Sequence, residues 1–179
     1  MNNEDIKFLS NLLYSEDNDH FIREIKNITN PLFLHIISAN YNWNSGLDVP
    51  QAILDNQYCD FGTGLLLFYN ADGYRLLDSQ DVVLDSPLKG WKEFLTNLYK
   101  KLLDTDFSTQ GISFTPSLTK VQIFKLKKSN PSIPDILISK SPGNEEEIPT
   151  LKLLFCGGYP VPNGFFIQPV THLTSVIPV

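Results

Sequence analysis

Apolar side chains recur every three or four positions through the first part of the chain, the period of a helix with one face turned inward. In EDIKFLSNLLY (4–14), Ile6, Leu9, Leu12 and Leu13 share a side while Lys7, Ser10 and Asn11 face out, which predicts an amphipathic helix. A second is predicted over 17–28, with Asp17 and Asn18 to cap it and Phe21, Ile22, Ile25 and Ile28 as its stripe. Gly90 to Leu103 repeats the theme with Trp91, Phe94, Leu95, Leu98, Leu102 and Leu103. Lys100 and Lys101 there suit the negative end of the helix dipole.

Between these helices, Asn30 to Asp78 is the stretch densest in apolar residues and stop signals, and it divides into three short helices. Asn30 before Pro31, Asp48 before Pro50 and Asp60 before Phe61 mark the starts, because a side-chain oxygen can accept from the orphan N–H groups of a first turn. Gly46, Asn56 and Gly73 mark the exits, where a left-handed residue commonly closes a helix. Leu32, Phe33, Ile36 and Ile37 make the first helix apolar on more than one side. Phe61, Leu65, Phe68 and Tyr69 share a face of the third, and Gly62 and Gly64 leave room for a neighbouring backbone. Asn40 to Gly46 joins loop-forming amides to Tyr41 and Trp43, which predicts a tight, packed corner. Asp78 to Leu88 reads as a polar turn.

Beyond Asp104 the pattern changes. Nine of the twelve prolines fall in 111–179, and VQIFKLK (121–127), DILISK (135–140), LKLLFC (151–156) and GFFIQPV (164–170) read as strands between them. The first run also permits a helix, since Leu118, Val121 and Phe124 have helical spacing behind Thr115-Pro116. SPGNEEEIP (141–149) reads as an exposed loop. The predicted fold class is therefore α+β. A core of short antiparallel helices fills 1–105, and an irregular, strand-containing region at 106–179 packs on it as part of one unit.

Composition narrows the setting. Of 179 residues, 42% are hydrophobic and 12% aromatic, enough for one packed domain. Apolar runs such as Gly64 to Tyr69 fall far short of the ~18 residues that span a bilayer, so no membrane partner is expected. MNNEDIKFLSNLLY carries acids where a secretory leader carries bases and reads as mature sequence. Cys59 and Cys156, far apart, suit a reducing cytoplasm. Net charge is −6 but unevenly spread: residues 1–85 hold 13 acids against 4 bases, and residues 86–179 hold 7 against 10. An acidic half repels a phosphate backbone and attracts a basic partner, so nucleic acid is not an expected ligand. Lys120, Lys125, Lys127 and Lys128 read as a solvated face.

Chemical motifs are few. His20, His35 and His172 lie in separate segments without ligand spacing, so no metal is expected. Gly62-Thr63-Gly64 lacks the length and the lysine of a phosphate loop, and no cofactor is expected. His35, Cys59 and Asp60 would serve a small hydrolase or transferase only if they met in one open pocket. A burial-tolerant cysteine beside a carboxylate, and a histidine within PLFLHIISA, read more simply as packed structure.

LHIISANYNWNSG and LDNQYCDFGTGLLLFYNADGY, mainly residues 31–77, resemble an uncharacterised bacterial domain family. That family is recognised by an Asn-Trp-Asn/Asp corner, a Cys-Asp-x-Gly-Thr segment and a Phe-Tyr-x-x-Asp-Gly ending. Asn44 and Ser45 stand where acids are usual there, so the resemblance implies no metal at the corner, and the family supplies no catalytic residues to carry across. Size, charge and this likeness lead to the expectation of a non-enzymatic immunity protein. It would neutralise a cognate protein toxin, a basic nuclease, through Tyr41, Trp43, Asp48, Asp55, Asp72 and Asp78. A general interaction module that pairs through C-terminal strands is the other binding reading.

Overall fold

Helix α1 (Asn3–Leu13) opens on a reciprocal cap: the Asn2 side chain accepts from the Asp5 amide at 2.8 Å, and the Asp5 carboxylate accepts from the Asn2 amide at 2.9 Å. Asp17 caps α2 (Asn18–Asn27), and Asn30 caps α3 (Pro31–Asn40) with Pro31 in the first turn. A single 3-10 turn, Trp43–Ser45, then closes at Gly46 with φ of 98°. Helix α4 (Asp48–Asp55) departs from expectation, because Leu47 takes the cap position and Asp48 sits inside the first turn. There its charge still faces the positive end of the dipole. The chain continues through α5 (Phe61–Asn70), α6 (Tyr74–Asp78), α7 (Gln80–Leu84), α8 (Lys89–Leu103), α9 (Lys120–Ser129) and α10 (Asp135–Ile138). This computed structural model describes residues 1–152.

Helix α5 occupies the centre. Every residue from Phe61 to Phe68 is buried, so the helix has no solvent face until its last two residues, and α3 and α8 pack against it. Around that centre α3 also meets α1 and α4, and α2 packs on α4. Buried Asn56 ties α2 in: its amide donates to the carbonyls of Ile25 at 2.7 Å and Ile28 at 2.9 Å, and its oxygen accepts from the Tyr58 amide. The Ile25 carbonyl also accepts from the Ile28 amide at 3.2 Å, so the Asn56 side chain adds a second donor there and ties the end of α2 to the start of the next segment.

The α+β expectation is overturned: among the described residues there are ten α-helices and no β-strand. Residues 121–127 lie in α9, which starts at Thr119 in a second reciprocal cap with Gln122. In that run Leu126 is buried, Ile123 half-buried, and Val121 and Phe124 exposed, a helical period rather than the alternation of a strand. Residues 135–138 form the short α10 behind Pro134. What extended pairing exists is two isolated bridges, Asp60 with Thr109 and Ile112 with Asn144. No sheet edge is therefore offered by 106–152 to another strand. Most of the 151–156 run, all of 164–170, Cys156 and His172 lie outside the described residues.

Two smaller corrections follow the same logic. The expected polar turn at 78–88 contains α7, with Val83 buried and Val82 and Leu84 exposed. After α5 the left-handed residue is Asp72, at φ of 65°, while Gly73 is at −62°. Gly73 is needed for space, since a β-carbon there would lie 2.6 Å from the Phe68 ring. Leu126, Ile133, Leu137, Ile138 and Leu151 join the same hydrophobic core as α5. No helix of the described residues is long and apolar enough to cross a membrane.

Candidate functional site

The Cys-Asp-Phe-Gly-Thr segment at the start of α5 builds an internal knot. Asp60 is fully buried and caps α5, its Oδ1 accepting from the Gly62 amide at 2.9 Å. The same carboxylate reaches the strap at 109–112: Oδ2 accepts from Thr109 Oγ1 at 2.6 Å and the Gly111 amide at 2.7 Å, and Oδ1 from the Ile112 amide at 3.3 Å. The Phe61 amide donates to the Thr109 carbonyl at 3.0 Å, which locks the strap from the other side. The strap lies so close that a β-carbon on Gly62 would meet the Ile112 oxygen at 2.0 Å.

Thr63, one turn further on, meets His35 across the α3–α5 interface, with Nδ1 and Oγ1 3.0 Å apart. His35 is 4% exposed and Thr63 fully buried. Burial pushes the His35 pKa down to about 4, and the Asp60 charge offsets that only in part. Cys59 is likewise buried; desolvation pushes its thiol up to about 12, against the pull of Lys101. Its Sγ contacts the Asp60 carbonyl at 3.8 Å. His35, Cys59 and Asp60 are all packed, and none of them lines the groove beside Phe8 and Phe33 or the one beside Val82 and Trp91. They form no nucleophile and base open to a substrate.

Tyr41, Trp43 and Asp48 come together at the α3–α4 corner. The Tyr41 hydroxyl donates to the Gly46 carbonyl at 3.1 Å, and its pKa is raised by burial and by Asp48. Trp43 packs edge-on against Tyr41 and against Phe94 of α8, with ring centroids at 6.0 and 6.5 Å. Its Nε1 is buried and finds no acceptor among the described residues. Trp43→Phe should therefore stay within about 1 kcal/mol of wild type in urea unfolding, because it keeps the ring contacts and removes an unmet donor. Trp43→Ala should lose about 2 kcal/mol. Equal losses in both variants would mean that the indole N–H has a partner.

Asp55 stands apart at the end of α4, accepting from Gln51 Nε2 at 2.8 Å. Asp72 and Asp78 flank α6, where Asp72 pairs with Arg75 and Asp78 raises the Tyr74 pKa after burial does. Asp72 and Arg75 line a groove of about 340 Å³ with Val82, Ser86, Leu88 and Trp91. Trp91 anchors the floor by donating Nε1 to the Ala71 carbonyl at 2.7 Å. Val82 and Leu88 are 52% and 65% exposed, an unusual pair of apolar side chains in the lining of an open groove. Asp81 and Asp85 are exposed beside them, and across 72–93 five acids face three bases. Among the described residues Asp78, Asp81 and Asp85 make no ion pair. The groove escapes a sequence reading because it depends on how α6 and α7 lean on α8. Its one local sign is Asp81-Val82-Val83-Leu84-Asp85, three apolar residues of which a one-turn helix can bury only one face.

The family model described as "Domain of unknown function (DUF4274)" matches residues 29–103, from the cap of α3 to the end of α8. That span contains the corner, the groove and the α5 side of the knot, while the strap at 109–112 lies beyond it. No curated protein and no solved structure matches the chain.

Proposed function

We propose that this protein is a cytoplasmic bacterial immunity protein, which binds a cognate toxin domain, a basic nuclease, and neutralises it by covering it. The observation that supports this reading is the groove between α6–α7 and α8, lined by Val82, Leu88 and Trp91 with the Asp72–Arg75 pair, with exposed Asp78, Asp81 and Asp85 on the same two short helices and just after them. Apolar lining with unpaired acids close by in the chain suits a basic polypeptide: the carboxylates speed encounter, and the desolvated aromatic and aliphatic contacts hold it. Tyr41, Trp43 and Asp48, at the corner that packs on Phe94 of α8, are read as a second part of the contact. Asp55 adds charge at a distance.

The test is co-expression with the toxin encoded beside the gene, together with binding kinetics on the purified pair. Reversing Asp78, Asp81 and Asp85 to lysine should lower the association rate by about 10-fold or more at low salt, leave dissociation nearly unchanged, and abolish protection. Circular dichroism checks that the variant stays folded. Full protection with unchanged association would remove the groove from the contact.

A further inference from the structure

Helix α9 carries a second exposed surface of opposite charge. Phe124 and Val121 are 68% and 62% exposed, and Phe124 is the most exposed large apolar side chain of the described residues. On the helical wheel they sit amid Lys120, Lys125, Lys127 and Lys128, all exposed, and α9 contains no acid. Lys127 pairs with Asp135 at 2.6 Å, leaving three lysines around the ring without an ion pair among the described residues. This is a basic ridge with an apolar crest, the complement in both respects of the groove lined by Val82, Leu88 and Trp91 and of the exposed Asp78, Asp81 and Asp85 close to it in the chain.

We propose that the occupant of this ridge is a second copy of the chain, with Phe124 and Val121 of one protomer entering the groove lined by Val82, Leu88 and Trp91 of the other. The placement of the two surfaces favours a closed pair over an open filament. Helix α6 touches both α7 and α9, so groove and ridge flank one short helix. A two-fold axis beside α6 brings each ridge into the opposite groove with a single operation. Lys120, Lys125 and Lys128 then face Asp78, Asp81 and Asp85, and four exposed apolar side chains leave water on each half of the contact. The inference uses the groove but not the toxin, so either can fail without the other. If both hold, a basic toxin and the second copy compete for one surface.

Sedimentation velocity on the full chain, over a concentration series at low and high salt, tests it. The mass should rise from 20.3 kDa toward twice that value, with a midpoint that moves to higher concentration as salt is added. Phe124→Asp should raise the dissociation constant by about 10-fold or more without changing the melting temperature of the monomer. Lys125→Glu/Lys128→Glu and Asp81→Lys/Asp85→Lys should each be monomeric alone and pair when mixed. A mass fixed at the monomer value overturns the proposal, as does unaltered pairing by Phe124→Asp. A monomer that binds anionic vesicles through α9 assigns the ridge to a lipid surface instead and overturns it too. So does a melting temperature lowered by Phe124→Asp in a monomer, which would place the occupant within the same chain.

Discussion

Replacing Asp60 with alanine is expected to remove about 3–5 kcal/mol of stability, the largest loss from any single truncation here. Four donors converge on its carboxylate, and two of them, the Gly62 and Ile112 amides, belong to buried residues. Alanine leaves those two without an acceptor, each at about 1–3 kcal/mol, and frees the strap at 109–112 from the first turn of α5. Thr109 and Gly111 are exposed enough to recover water, which keeps the total below the sum of four lost bonds. Asp60→Asn should lie about midway, because one oxygen can still serve Gly62 while the amide group turns donors toward Thr109 and Gly111. Urea unfolding gives the free energies, and hydrogen exchange at Gly111 and Ile112 shows whether the strap opens first. A loss below about 1 kcal/mol for alanine would mean that the strap is held by the Phe61–Thr109 contact alone.

Asp60 also shows where reading a sequence stops. Its role as a cap was legible, because Gly62 is two positions away and the chemistry is local. Its second role was not, because Thr109, Gly111 and Ile112 lie 49 to 52 positions downstream in a stretch with no motif. The same divide separates the other elements. Helices α1, α2, α3 and α5 declare themselves through caps and stripes that a few residues carry, and α8 through its stripe alone. Helix α9 was open between two readings, because valine, isoleucine and phenylalanine favour strands in isolation, and burial of Leu126 against the core decided it. The corner's aromatics were visible as residue types, but the groove draws its lining from α6, α7, α8 and the link between the last two, which no local pattern brings together.

Acidification should destabilise this protein through His35. Buried against Thr63, the folded imidazole takes up a proton only near pH 4, whereas the unfolded chain takes it up near 6.5. Between those values the unfolded state binds more protons, so stability falls as pH falls, by up to about 1.4 kcal/mol per pH unit. The loss begins below about 6.5, is complete below about 4, and sums to about 3 kcal/mol. The Asp60 charge works against it by favouring the imidazolium, but burial is the larger influence. His35→Gln keeps a polar partner for Thr63 and cannot titrate, so its stability should fall less steeply by about one proton over the same window. Urea midpoints of both proteins at a series of pH values measure that difference. Parallel curves would show that the imidazole is charged in the folded state, or that His35 exchanges protons with solvent from an open position. The consequence reaches the proposed binding surface, because His35 holds α3 to α5, and α3 leads directly into the corner of Tyr41 and Trp43. Protonation at that interface should weaken the support of the Tyr41–Trp43 corner as pH is lowered, which the fluorescence of Trp43 in a Trp91→Phe background would follow.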